Sequence, residues 1–143
     1  MKVKFKKTLH NAKNPTYGTD GAACFDFYAT SSEIVHPKTT SDLLDTGIAF
    51  EIPEGYVMLA YSRSGHGFNN GIRLCNSVGV IDSDYRDSVK VRLVNDSYVP
   101  FSINPGDRIL QAMIIPVPSI ALVEVDELND TARGIGGLGS TGK

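Results

Sequence analysis

The chain has 143 residues, 41% hydrophobic and 21% charged, with a formal net charge of -2. This length fits one domain around one core, and the slightly acidic balance excludes a non-specific binder of polymeric nucleic acid. The most apolar stretch, Ile109 to Val123, is interrupted by Gln111, Pro116, Pro118 and Ser119, so no membrane role is expected.

In chain order, Lys2, Lys4, Lys6 and Lys7 alternate with Val3 and Phe5 and read as the solvated face of a first strand, Val3 to Lys6. Further strands are predicted over Ala22 to Ala29, Leu43 to Ile52, Tyr56 to Tyr61, Val78 to Asp82, Val89 to Val94, Val99 to Ile103, Arg108 to Val117 and Ala121 to Val125. Pro53 to Gly55, Asn69 to Gly71 and Asn104 to Asp107 supply turn chemistry between them. One short helix fits after Ser62-Arg63-Ser64-Gly65, with Ser64 as its cap and free N–H groups facing an anion; an ordinary exposed turn fits equally well. Many short strands with at most one helix imply an all-β sandwich, jelly roll or barrel. The expected organisation is a β domain over 1–130 followed by a glycine-rich arm over 131–143.

Cys24 and Cys75 lack paired-ligand spacing, and nothing resembles a signal peptide, so a reducing, cytoplasmic setting is expected, or the host-cell cytoplasm for a viral protein. His10, His36 and His66 are far apart, and no structural metal site is expected from them.

Two stretches carry chemistry. The last eleven residues, Arg133 to Lys143, hold five of the fourteen glycines beside one arginine, one serine and one threonine. Glycine lets backbone N–H groups approach anionic oxygens, and a guanidinium can fork across two of them. Alone, the segment reads either as a disordered tail or as a strap ordered by closing on a ligand or neighbour. In the interior, Val78 to Ile81 run directly into Asp82, Ser83, Asp84, Tyr85 and Arg86. If the strand continues, Asp82 and Asp84 share a face, and one can orient a water as general base. The alternative is an acidic turn with a solvated tip.

Five segments, in this order, resemble the five motifs of the trimeric deoxyuridine triphosphate nucleotidohydrolase (dUTPase) family: Ala22 to Ala29, Ser62 to Gly65, Gly79 to Arg86, Pro105 to Gln111, and the tail from Arg133 to Gly142. The resemblance implies a β jelly-roll homotrimer with three active sites, each built from motifs of all three copies. It implies hydrolysis of dUTP to dUMP and pyrophosphate by water attack on the α-phosphate, with Mg²⁺ held mainly by triphosphate oxygens. Such activity limits uracil incorporation into DNA and supplies dUMP for dTMP synthesis. Carried over by residue, Asp82 would activate the water. Tyr85 would lie against the deoxyribose and exclude a 2′-hydroxyl. Backbone groups from Asn76 through Gly79, Val80 and Ile81 would pair with the uracil edge, where a base with the opposite donor pattern leaves polar groups unpaired. Arg63, Ser64, Gly65 and Gln111 would contact phosphates, Lys90 would contact nucleotide, and Asp26 would meet Mg²⁺ through water. In the tail, Arg133 would pair with the γ-phosphate, Leu138 would cover the base, and Gly139, Ser140 and Thr141 would wrap the remaining phosphate oxygens. A dCTP deaminase-like enzyme and a non-catalytic dUTP-binding jelly-roll protein are the alternatives; the uracil hairpin and tail argue against the first, and the intact Asp82 against the second.

The sequence departs from the family pattern at four places. Cys24 and Asp87 stand where glycine is usual. His66 replaces a leucine close to the expected phosphates and reads either as a pH-sensitive phosphate contact or, preferred, as a tolerated exposed residue. Leu138 stands where a phenylalanine stacks on uracil, a loss on the order of 1 kcal/mol of base packing.

Overall fold

The computed structural model describes residues 1–138, 140 and 142. Strands in chain order are β1 (Lys4–Lys7), β2 (Thr16–Tyr17), β3 (Phe25–Tyr28), β4 (Glu33–Val35), β5 (Leu44–Asp45), β6 (Ile48–Glu51) and β7 (Tyr56–Tyr61). A single helix among the described residues, α1 (Ser64–Asn70), is followed by β8 (Ile72–Leu74), β9 (Val78–Ile81), β10 (Lys90–Val91), β11 (Leu93–Asn95), β12 (Phe101–Ile103) and β13 (Arg108–Pro116). The all-β expectation with at most one short helix holds.

The principal sheet has the order β2-β3-β13-β7-β9, and β1-β6, β5-β10, β8-β11 and β4-β12 form antiparallel pairs around it. β3 is buried on both faces at Phe25, Asp26 and Phe27, as a strand between two neighbours and beneath a second layer should be. Phe25, Phe27 and Phe50 meet with ring centroids 5.6 to 5.9 Å apart, and Met58, Leu74, Leu110 and Ala112 complete the core beside them. Asn95 is fully buried yet satisfied: its amide donates to Val35 and Val99 carbonyls, and its oxygen accepts from Ser97. A buried amide so paired fixes the 95–99 turn without an unsatisfied group.

Several sequence-based expectations are corrected. The run Leu43 to Ile52 is two strands, because Gly47 breaks it at φ 66°; a Cβ there would lie 2.8 Å from that of Ala12. Val89 to Val94 likewise divides into β10 and β11. Ser64 is not a cap: it is the first helical residue, Arg63 occupies the cap position, and no side chain caps the helix. Asn69 and Asn70 close that helix, and Gly71 ends it in the left-handed conformation at φ 66°. Ala121 to Val125 forms no strand, although Leu122 and Val123 are 92% and 76% exposed. A strand needs a neighbour for its backbone groups, and none of the described residues provides one.

Candidate active site

Asp26 is 7% exposed, and both its oxygens are engaged: Arg63 Nε lies 3.0 Å from one and Arg108 Nη1 3.1 Å from the other. A carboxylate buried this far needs such compensation. The β-ladder places Gln111 opposite Asp26, and the Gln111 amide donates to the Ser62 carbonyl at 3.0 Å, holding the residue before Arg63. Asp26, expected to meet Mg²⁺ through water, and Arg63 and Gln111, expected at the phosphates, thus form one cluster. Ser64 and Gly65 begin α1 beside it and are exposed.

Arg108 belongs to this cluster but was not singled out from sequence. In an unbroken ladder it would share a face with Leu110, away from Asp26 and Gln111. A register shift between Arg108 and Leu110 turns the strand locally, and the guanidinium reaches Asp26. The available signal was its place three residues before Gln111 in an expected phosphate motif. His66 also differs from expectation, since it is half-buried rather than exposed. Its Nε2 lies 2.7 Å from the Arg108 carbonyl and its ring packs on Phe101 at 5.1 Å. A carbonyl only accepts, so Nε2 carries the hydrogen. Arg63, His66 and Arg108 line a hollow of about 300 Å³. Cys24 fits beside Asp26 as a half-buried thiol; burial, and then the Asp26 charge, push its pKa up.

A second set gathers at the other end of the sheet. Val80, Ile81, Asp82, Tyr85 and Lys90 line a hollow of about 140 Å³ with Val89. β9 pairs only with β7 among the described residues, so the outward half of its backbone donors and acceptors faces away from the sheet. Asn76 and Ser77 lead into it through a turn in which Ser77 adopts φ 62°, and Gly79 lies opposite Ala60. Residues 82–85 turn rather than continue the strand, with the Tyr85 N–H donating to the Asp82 carbonyl. The acidic-turn alternative is what forms here, and the sharing of a face by Asp82 and Asp84, which required a continuing strand, does not apply. Tyr85 Oη donates to the Ser88 carbonyl at 3.0 Å, and Lys90 Nζ to Asp87 at 2.6 Å.

Within one chain these sets are separate. Asp26, Gln111, Tyr61 and Val78 form a register row across four strands. Three interstrand steps, and four residues from Val78 to Asp82, put Asp82 about 20 Å from Asp26. In the tail, Arg133 Nε donates to the Gly136 carbonyl at 2.9 Å, and Leu138 is exposed at φ 46°. Ser140 N–H donates to the Gly137 carbonyl. Gly139 and Thr141 lie outside the described residues. The largest of the hollows noted, about 350 Å³ between Phe5, Phe50 and Arg86, contains none of the expected site residues.

Among the described residues, no helix is long and apolar enough to cross a membrane, and no group of three or more His, Cys, Asp or Glu residues could hold a metal ion.

Comparison with known proteins extends the resemblance over the whole chain. A family model described as dUTPase matches residues 10–142. The deoxyuridine 5'-triphosphate nucleotidohydrolase of Nautilia profundicola is 47% identical over 143 residues, covering all of both chains. That of Wolinella succinogenes is 42% identical, covering all of this chain and 95% of the relative. A mutant dUTPase of Staphylococcus bacteriophage 80alpha, solved with dUpNHpp, superposes with a TM-score of 0.87 at 24% identity, covering 99% of each chain; this likeness bears on the fold. Family model, full-length relatives and shared β architecture agree, and the chain belongs to the dUTPase family.

Proposed function

We propose that this chain hydrolyses dUTP to dUMP and pyrophosphate, with Asp82 orienting the attacking water at the α-phosphate. The observation that carries the reading is the gathering of Val80, Ile81, Asp82, Tyr85 and Lys90 around one hollow at an open strand edge. Fixed backbone groups of 76–81 would select the uracil edge, and the ring of Tyr85 would deny space to a ribose hydroxyl. Asp82, at the end of an apolar strand, would accept the proton of the water. Arg63, Gln111 and the start of α1 at Ser64 and Gly65 would position the phosphates, and Lys90 would add charge near the nucleotide.

The water-activating group and the phosphate-binding cluster lie too far apart within one chain to serve one triphosphate. That separation supports a homotrimer in which each site draws on several copies, and the exposed Leu122, Val123 and Leu128 supply apolar surface for such contacts. The arm over 131–143 would then close on a site elsewhere in the trimer, bringing Arg133, Leu138, Gly139, Ser140 and Thr141 to the nucleotide. The hydrogen bonds described for this arm stay inside the segment, which supports reading it as an arm separate from a β domain over 1–130.

The donor chemistry fits Mg²⁺ of the kind that keeps several waters and is held chiefly by substrate phosphates. Asp26 would accept a hydrogen bond from a metal-bound water. When bound, the ion neutralises triphosphate charge and orients the phosphates.

Pyrophosphate release should be measured with dUTP, dCTP, dTTP and UTP. Turnover confined to dUTP is expected, whereas ammonia release from dCTP would replace the hydrolase by a deaminase, and dUTP binding without turnover by a binding protein. Light scattering should report three times the 15.4 kDa chain mass; a monomer turning over dUTP at full rate would remove the shared site.

A further inference from the structure

Asp87 stands between two groups assigned to the nucleotide, and its carboxylate is used twice. One oxygen accepts the Ser88 N–H at 2.7 Å, and the other holds Lys90 Nζ at 2.6 Å. Ser88 in turn receives the Tyr85 hydroxyl on its carbonyl. The backbone here is anchored: Ser88 and Val89 are buried, and the Val89 carbonyl accepts from both the N–H and the hydroxyl of Thr46. Asp87 and Lys90 therefore flank a fixed segment with their side chains exposed on the same side, and Asp45 lies directly across the ladder from Lys90. The Lys90 hydrogen bond, and then that of the Ser88 amide, hold the Asp87 carboxyl below its ordinary range, while the same contact raises Lys90.

We propose that Asp87 is a positioning residue of the nucleotide site, which withholds Lys90 from the nucleotide and keeps the Ser88 segment fixed beneath Tyr85. The inference rests on reading Lys90 and Tyr85 as nucleotide contacts. The physical reason is competition for one ammonium: Lys90 cannot meet a nucleotide oxygen fully while its charge is engaged by Asp87. Leaving an exposed ion pair has a small cost, so Asp87 moderates affinity without blocking it. Its second oxygen does different work, since a glycine at this position could not accept the Ser88 N–H.

Asp87→Asn separates the two roles, because the amide oxygen still accepts from Ser88 while the ion pair is gone. On the full chain, the expected result is a fall in KM for dUTP, and in Kd for dUpNHpp, of about threefold, with kcat within about twofold of the wild-type value. In a Lys90→Met background the same substitution should alter KM by no more than about 1.5-fold. Asp87→Ala also removes the Ser88 acceptor and should raise UTP turnover relative to dUTP above the Asp87→Asn ratio. An Asp87→Asn Kd equal to or weaker than wild type, or the same tightening with Lys90 absent, overturns the proposal. Wild-type binding of dUpNHpp without dUTP turnover overturns the hydrolase reading instead, and the binding comparison still decides the role of Asp87.

Discussion

Asp26 meets two arginines from the interior of a five-stranded sheet, whereas Asp82 stands just beyond the edge strand β9, exposed and without an ion-pair partner among the described residues. The phosphate-side cluster is held by its own charges: Arg63 and Arg108 bracket one buried carboxylate, and Gln111 holds the backbone before Arg63. The nucleoside side is held mainly by backbone, with a strand edge, the 82–85 turn and the Tyr85 to Ser88 bond. Concentrated cationic groups need a buried anion to preorganise them before a triphosphate arrives, while recognition of a base edge needs unpaired backbone groups, which a sheet offers at its edge. One sheet supplies both by putting one on an interior strand and the other beyond the far edge strand, and that arrangement leaves a single chain with separate parts of a site.

The sharpest break of this comparison is Asp82→Asn. Pyrophosphate release should fall about a thousandfold, as for loss of a general base, with dUpNHpp binding and urea stability retained; unchanged turnover would remove Asp82 from its role. Ending the chain after Asp130 should lower kcat about a hundredfold, because arm donors stabilise charge in the closed site. Circular dichroism and the thermal midpoint should hardly move, and near-normal turnover would show the arm to be dispensable. Asp26→Ala should act mainly on the fold. Two guanidiniums lose their partner, and the unfolding free energy should drop by about 2 kcal/mol, discounted because Arg108 is partly solvated. A lower urea midpoint at constant slope would show this, whereas an unaltered midpoint would mean that the buried pair is not what organises the cluster. The smallest change is Leu138→Phe, which should lower KM for dUTP about fivefold by adding a stacking face; no change would place Leu138 away from the base.

Much of the fold was legible because strand alternation and turn residues are local signals. β7 was read at its observed ends, and β9 and β13 to within one residue at one end. β2, β4 and β8 escaped because two or three residues carry too little periodicity. Asp26, Arg63, Gln111, Asp82 and Tyr85 were legible as motif residues, and Lys90 as a position just past one of the motifs. That Arg108 joins Asp26 was not, since a ladder irregularity reverses the face that alternation assigns. His66 and Asp87 were visible as departures, but the His66 contact depends on how α1 packs against the start of β13, and the Asp87 to Lys90 pair on the local course of residues 87–90.

By itself the sequence determined the β-rich class, the family motifs and the residue types able to handle a phosphate, because propensity and spacing along the chain are sufficient for these. Only the tertiary structure decided which of those residues meet. Asp26 and Arg108 are 82 positions apart and become partners through strand pairing, while Asp26 on β3 and Asp82 just past β9 stay three strands apart. Side-chain reach is a few ångströms, so contact follows register and strand order rather than distance along the chain.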